Sequence, residues 1–196
     1  MGAKTDHTAS CGKAASPSQD ASAARAARKG SPRSVRARRF SLFIPIAVLW
    51  IVFDQATKAY FDGAYFPGQV IGEPILGIFR FHLVYNTGGA WSIFSGATWA
   101  LGAFSLIVCI ALTAYLFFTA RESAPGEAVG LALVVAGGIG NAIDRFALGH
   151  VIDFIEPVFI EFPVFNVADI GVTCGFVIFF VSLFLRDRAR ARKGGE

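Results

Sequence analysis

The sequence predicts an all-α membrane protein of four transmembrane helices with a small extracytoplasmic segment containing β structure. Three observations lead there. Of 196 residues, 54% are hydrophobic and only 16% are charged, where soluble domains carry about a quarter. Mean hydropathy is +0.54. The charges also crowd the ends: nine of the 18 Lys and Arg fall in residues 1–39 and five in 186–193. The apolar middle, Phe40 to Leu185, holds four stretches of about 20 residues, the length that crosses hydrocarbon.

Residues 1–39 are rich in Ala, Ser, Lys and Arg. Such a composition builds no core, so a disordered basic tail is expected. The Arg33–Arg39 run suits anionic lipid, but its plainer role is to hold the N-terminus in the cytoplasm. The first span is Phe40–Phe61, and no small-residue cleavage site closes it. It therefore reads as an uncleaved helix, not a signal peptide. The connection Asp62–Ser95 follows, punctuated by Pro67, Gly68, Gly72, Pro74 and Gly77. Its stretch Ile75–Tyr85 is β-forming, so a small sheet is expected there. The second span is Ala97–Thr119, and a tight polar link, Arg121–Gly126, leads to the third, Glu127–Arg145. Gly130, Gly137, Gly138 and Gly140 allow that helix close neighbours. A second connection covers Phe146–Phe165, and the fourth span is Asn166–Leu185. The organisation expected is a tail (1–39), one membrane domain (40–186) and a basic tail (187–196). Four spans place both termini on one side, and the basic tails with Arg121 assign that side as cytoplasmic. The two long connections, with Arg80 as their interior basic residue, then face outward.

A net charge of +4 raises the possibility of nucleic-acid binding, but the basic residues are not interleaved with the aromatics, so no nucleic-acid partner is expected. Cys11, Cys109 and Cys174 form no CxxC. Cys109 and Cys174 sit in apolar runs and are expected as small buried hydrophobes. Cys11 has no apolar run before it, so it is not a lipidation site. His82 and His150 lack a partner at ligand spacing, and there is no HExxH or GxSxG. A Ser–Lys pair of Lys58 with Ser92 or Ser95 is disfavoured, because Asp54 would keep Lys58 charged when a base must be neutral.

Ionisable groups inside spans are costly and mark function by default; here they gather at the outer ends. Asp54 and Lys58 are four apart on one helix face, which suits a self-neutralising pair better than direct catalysis. Asn141, Asp144 and Arg145 share a face at the end of the third span. They suit either a packing cluster or, through Arg145, recognition of a carboxylate or phosphate. Asp153 lies in Val151-Ile-Asp-Phe-Ile155 and Asp169 in Phe165-Asn-Val-Ala-Asp-Ile170, neither with a basic residue within three positions. Apolar surroundings raise the pKa of such acids, and two brought together share a proton as aspartic proteases do. Taken singly, Asp169 reads as a helix-terminus acid, with Asn166 the better cap, and Asp153 as an exposed loop acid.

Asp54-Gln-Ala-Thr-Lys58, Asn86-Thr-Gly-Gly-Ala-Trp91, Gly140-Asn-Ala-Ile-Asp-Arg145 followed by Val151-Ile-Asp-Phe154, and Phe165-Asn-Val-Ala-Asp169 occur in that order. Together they resemble the four motifs of the bacterial lipoprotein signal peptidases, over about residues 40–186. Gly89 and Trp91 stand where that family often has Ala and Phe. The resemblance implies an intramembrane aspartic endopeptidase with Asp153 and Asp169 as catalytic dyad. It places Asp54, Lys58, Asn86, Gly88, Asn141, Asp144, Arg145 and Asn166 at positions that shape or support the site. It also implies a diacylglyceryl-modified prolipoprotein substrate, cut just before the lipidated cysteine, with membrane lipids as further partners. No metal and no organic cofactor is implied. The location implied is the bacterial cytoplasmic membrane, multi-pass, with the site on the outer side and segment 62–95 able to cover the substrate. The rival is a non-enzymatic carrier, since intramembrane acids also build proton relays. A missing internal repeat and the lack of a broken helix pair count against it.

Overall fold

A computed structural model describes residues 32–89, 94, 96–119 and 124–194. Most of the expected tail 1–39 lies outside the described residues, as do Cys11, Trp91, Ser92, Ser95 and Arg121. The described elements run α1 (Pro32–Ala64), β1 (Val70–Ile75), β2 (Phe79–Asn86), α2 (Thr98–Thr119), α3 (Pro125–Ala147), β3 (Val151–Pro157) and α4 (Val167–Gly194). All four helices are long and apolar enough to cross a membrane, over Ala37–Ala64, Thr98–Thr119, Pro125–Ala147 and Val167–Arg192. Two helices overrun the expected spans. α1 starts at Pro32 rather than Phe40, and α4 continues to Gly194 rather than ending at Leu185. Both overruns are rich in arginine, a good helix former, so the helix does not stop where hydrocarbon ends.

Helix α3 is the hub. It packs against α1, α2 and α4, and most of its membrane length is buried. Its Ala128, Leu131, Ala132, Val135 and Ala136 form a core with Phe43 and Ala47 of α1 and Cys109 and Leu116 of α2. The α3–α4 contact depends on missing side chains: a Cβ on Gly130 would stand 2.6 Å from the Gly175 carbonyl oxygen, and the reverse holds equally. Helices in lipid gain little from hydrophobic segregation and associate through such close packing. The other helices expose apolar side chains, among them Leu49 on α1, Phe104 on α2 and Phe180 on α4.

The sheet is antiparallel in the order β1-β2-β3. The expected β stretch, Ile75–Tyr85, falls on the β1–β2 hairpin. The third strand comes from the second connection, where no strand was expected. In β3 the alternation of a strand is masked because Val151, Ile152, Asp153 and Phe154 are all buried. Ile152 and Phe154 join Phe61, Leu83 and Val167 in a cluster beneath the sheet. The Phe154 ring stacks on Phe61 at the end of α1, centroids 4.2 Å apart. Asp153 therefore points the other way. Its strand partner is Val84, followed by Tyr85 with Ile152 and Asn86 with Val151. Cys109 is buried as expected. Cys174 departs from expectation and is exposed, since α4 turns that face away from α3.

Candidate active site

The polar residues of the four motifs converge where the sheet meets the ends of α1, α3 and α4. At the centre is Lys58, buried to 1% exposure. Its ammonium lies 3.0 Å from Asp54 Oδ2 and 2.9 Å from Asp144 Oδ2. It also donates to Asn141 Oδ1 at 2.9 Å. The expected Asp54–Lys58 pair is thus part of a larger knot. Asp54 accepts the backbone N–H of Ala168 at 2.8 Å, placing an anion at the N-terminus of α4. Gly140 leaves room for it, since a Cβ there would collide with the Asp54 carboxylate. Asp144 Oδ2 accepts the N–H of Ile152 at 3.3 Å, which fixes β3 one residue before Asp153. Gln55, which sequence reasoning passed over, donates to both Asp54 and Asp144, at 3.2 and 3.0 Å. Its place inside the first motif was the available signal.

The knot and the neighbouring backbone set the direction of the amides above it. Because Asn141 Oδ1 faces Lys58, its NH2 is left to donate to Asp169 Oδ1 at 2.8 Å. Asn166 is the N-cap of α4: its Oδ1 accepts the Asp169 N–H at 3.1 Å, and Asp169 Oδ2 accepts the Asn166 N–H at 3.2 Å. That reciprocal pair is a capping box. With Oδ1 so used, the Asn166 NH2 donates to Asp153 Oδ1 at 2.7 Å and to Asn141 Oδ1 at 3.0 Å. Asn86 is held in the same way: its Oδ1 accepts the Gly88 N–H at 2.9 Å, so its NH2 reaches Asp153 Oδ2 at 3.1 Å. Each of the two acids accepts two N–H groups, and the orientations trace back to Lys58 and to backbone turns.

Asp153 and Asp169 line one cavity of about 450 Å³ with Asn86, Asn141 and Arg145, walled by apolar residues such as Val151, Phe165 and Ile170. Asp153 is 3% exposed, so the reading of an ordinary exposed loop acid is wrong: the second connection folds as a strand and carries it inward. Burial pushes its pKa up to about 7, with the Asp169 charge adding to the rise, while Asn86, Lys58 and Asn166 oppose it. Lys58 is far off in sequence, so the absence of a nearby basic residue was misleading. Arg145 does not bond Asp144. It turns to the Gly88 carbonyl at 3.2 Å and the Asn141 carbonyl at 3.4 Å. Its Nε is buried with no hydrogen-bond partner among the described residues, which leaves a donor beside the cavity. Asp54, Lys58 and Asp144 are absent from the cavity wall and act as its footing. Chemically, two carboxylates with fixed donors, Asp153 buried and Asp169 partly buried, facing a mostly apolar space, suit proton transfer to and from a bound carbonyl compound.

Comparison with known proteins identifies a family. The family model described as signal peptidase (SPase) II matches residues 46–185. A lipoprotein signal peptidase of Latilactobacillus sakei is 35% identical over 149 residues, covering 75% of this chain and 96% of its own. One from Pseudomonas putida is 41% identical over 146 residues, covering 71% and 84%. A bacterial membrane enzyme solved by the in meso method superposes with a TM-score of 0.66 at 34% identity, over 75% of this chain and 89% of that one.

Proposed function

The chain belongs to the signal peptidase II family, and from that premise we propose how its residues divide the work. Members of this family are aspartic endopeptidases that remove signal peptides from prolipoproteins, and this chain is such an enzyme, held in a membrane by its four apolar helices. The observation that carries the residue assignment is the pair of acids on one cavity, each with two fixed amide donors. Asp153 and Asp169 are the catalytic dyad. Near neutral pH the pair shares one proton. Ionised Asp169 removes a proton from water as the oxygen attacks the scissile carbonyl. Protonated Asp153 hydrogen-bonds the carbonyl oxygen and supplies the proton that the leaving amine needs. Asn86, Asn141 and Asn166 hold the carboxylates in register, Lys58 with Asp54 and Asp144 fixes Asn141, and Arg145 ties the Gly88 turn to the cavity rim.

The substrate is a diacylglyceryl-modified prolipoprotein, cut before its lipidated cysteine. Its acyl chains lie along the apolar wall of the cavity near Ile170 and Thr173, continuous with membrane lipid. Both termini face the cytoplasm of a bacterial cell and the sheet faces outward, as the basic tails favour; a reporter fused after Glu196 should be active only in the cytoplasm. The deciding experiment uses purified protein in lipid with a lipidated precursor. Wild type should release the signal peptide with or without chelator. Asp153→Asn and Asp169→Asn should each lose about 10²-fold or more while remaining folded. Near wild-type cleavage by either variant would overturn the assignment.

A further inference from the structure

Two cavities meet at Asp153. Beside the apolar one lies a second, of about 550 Å³, which shares Asn86, Asp153 and the Phe162–Val164 stretch with it. Its own walls are Val84, Tyr85 and Thr87 at the end of β2 and Glu161 on the chain leading back to α4. None of its described lining residues is basic. Glu161 is exposed and makes no hydrogen bond or ion pair among the described residues. A second carboxylate stands behind the wall, since the Tyr85 hydroxyl donates to Asp62 at 2.5 Å. The Tyr85 ring stacks on His150, centroids 4.0 Å apart.

The substrate has a matching asymmetry about the cut. The acyl chains and the signal segment are apolar, whereas the peptide after the cysteine is polar and must lead to water. If the scissile carbonyl sits at the dyad, an apolar and a polar segment diverge from Asp153, and one cavity of each kind diverges there too. We propose that the second cavity receives the first residues after the lipidated cysteine and that Glu161 makes the enzyme discriminate among them by charge. Basic residues are favoured and acidic ones disfavoured, because an approaching carboxylate meets Glu161 with no cation among the described lining residues to offset it. The inference rests on the dyad assignment.

The test uses three lipidated precursors that differ only in the second residue after the cysteine: Lys, Gln or Asp. Cleavage is measured at pH 8, where an ordinary imidazole is neutral, by wild type, Glu161→Gln and Glu161→Lys. An exposed charge pair is weak, so wild type should prefer Lys over Asp in kcat/KM by about two- to fivefold at low salt, and less at high salt. Glu161→Gln should bring the ratio near one, and Glu161→Lys should invert it. Cleavage of all three precursors with the same ratio in all three enzymes overturns this inference and leaves the peptidase reading standing. No cleavage by wild type overturns both. Glu161 is an exposed side chain without partners among the described residues, so both variants should fold.

Discussion

The two ends of the helix bundle each bury a carboxylate completely, but only one end neutralises its charge. At the end away from the sheet, Glu127 lies at 0% exposure. Its Oε2 sits 2.9 Å from the Arg186 guanidinium, its Oε1 accepts the Ala124 N–H at 2.8 Å, and Arg39 stands within electrostatic reach. Cations there match the acid. At the sheet end Asp54, Asp144, Asp153 and Asp169 share Lys58 and Arg145. Two cations cannot neutralise four carboxylates, so a proton stays where chemistry can use it. A balanced buried pair is architecture; a surplus of buried acid marks a site.

The largest expected effect separates the two ends by activity. Asp153→Asn and Asp169→Asn should abolish cleavage, whereas Glu127→Gln should leave kcat of the folded enzyme within about twofold, as its end carries no substrate. A comparable kcat loss in all three would break the distinction. Next in size is stability. Lys58→Met strands Asp54 and Asp144, both buried, and removing one partner of a buried ion cluster costs about 3–5 kcal/mol. Thermal unfolding in lipid or detergent should show it as a large fall in Tm and yield. Asp54→Asn should also lower stability, because Lys58 loses a partner and Ala168 a charged acceptor. Glu127→Ala should cost less than Lys58→Met at the sheet end, since Arg186 can reach water through its 16% exposed side chain. The capping bond to Ala124 alone is worth about 1 kcal/mol.

The smallest effect is a slope. Asp153 has a folded pKa above its unfolded value. Its contribution to stability is therefore fully present below the ordinary carboxylate range and is lost as pH rises through about 7. Between pH 5 and 8, wild type should lose stability relative to Asp153→Asn. Equal slopes in parallel melts would show that Asp153 is not held protonated.

The spans were legible because hydropathy and charge placement follow directly from the bilayer. The helix overruns were not, since arginine extends a helix as readily as it ends a span. The sheet was half legible. The β1–β2 stretch carried β-forming residues, while β3 was hidden because Asp153 sits in the middle of a short apolar run buried on both faces. Gly130 signalled close packing, though not that its partner would be Gly175. Within the site, Asn166 read correctly as a cap. The sequence could not reveal that the same asparagine bonds Asp153 through its NH2, because that depends on a strand brought in by Asp144. The polar second cavity was invisible for the same reason, since it exists only once distant segments meet, and the bridge that Gln55 makes between Asp54 and Asp144 likewise needs α3 beside α1.

The central claim is that unbalanced buried acids keep a shared proton at the dyad. Its most direct test follows the Asp153 carboxyl by carbon-13 NMR through a pH titration of the full chain in lipid. The expected result is a midpoint near 7 in wild type that moves down in Asp169→Asn, where burial remains and the neighbouring charge is gone. A wild-type midpoint near the ordinary carboxylate value of about 4, indifferent to Asp169, would contradict it.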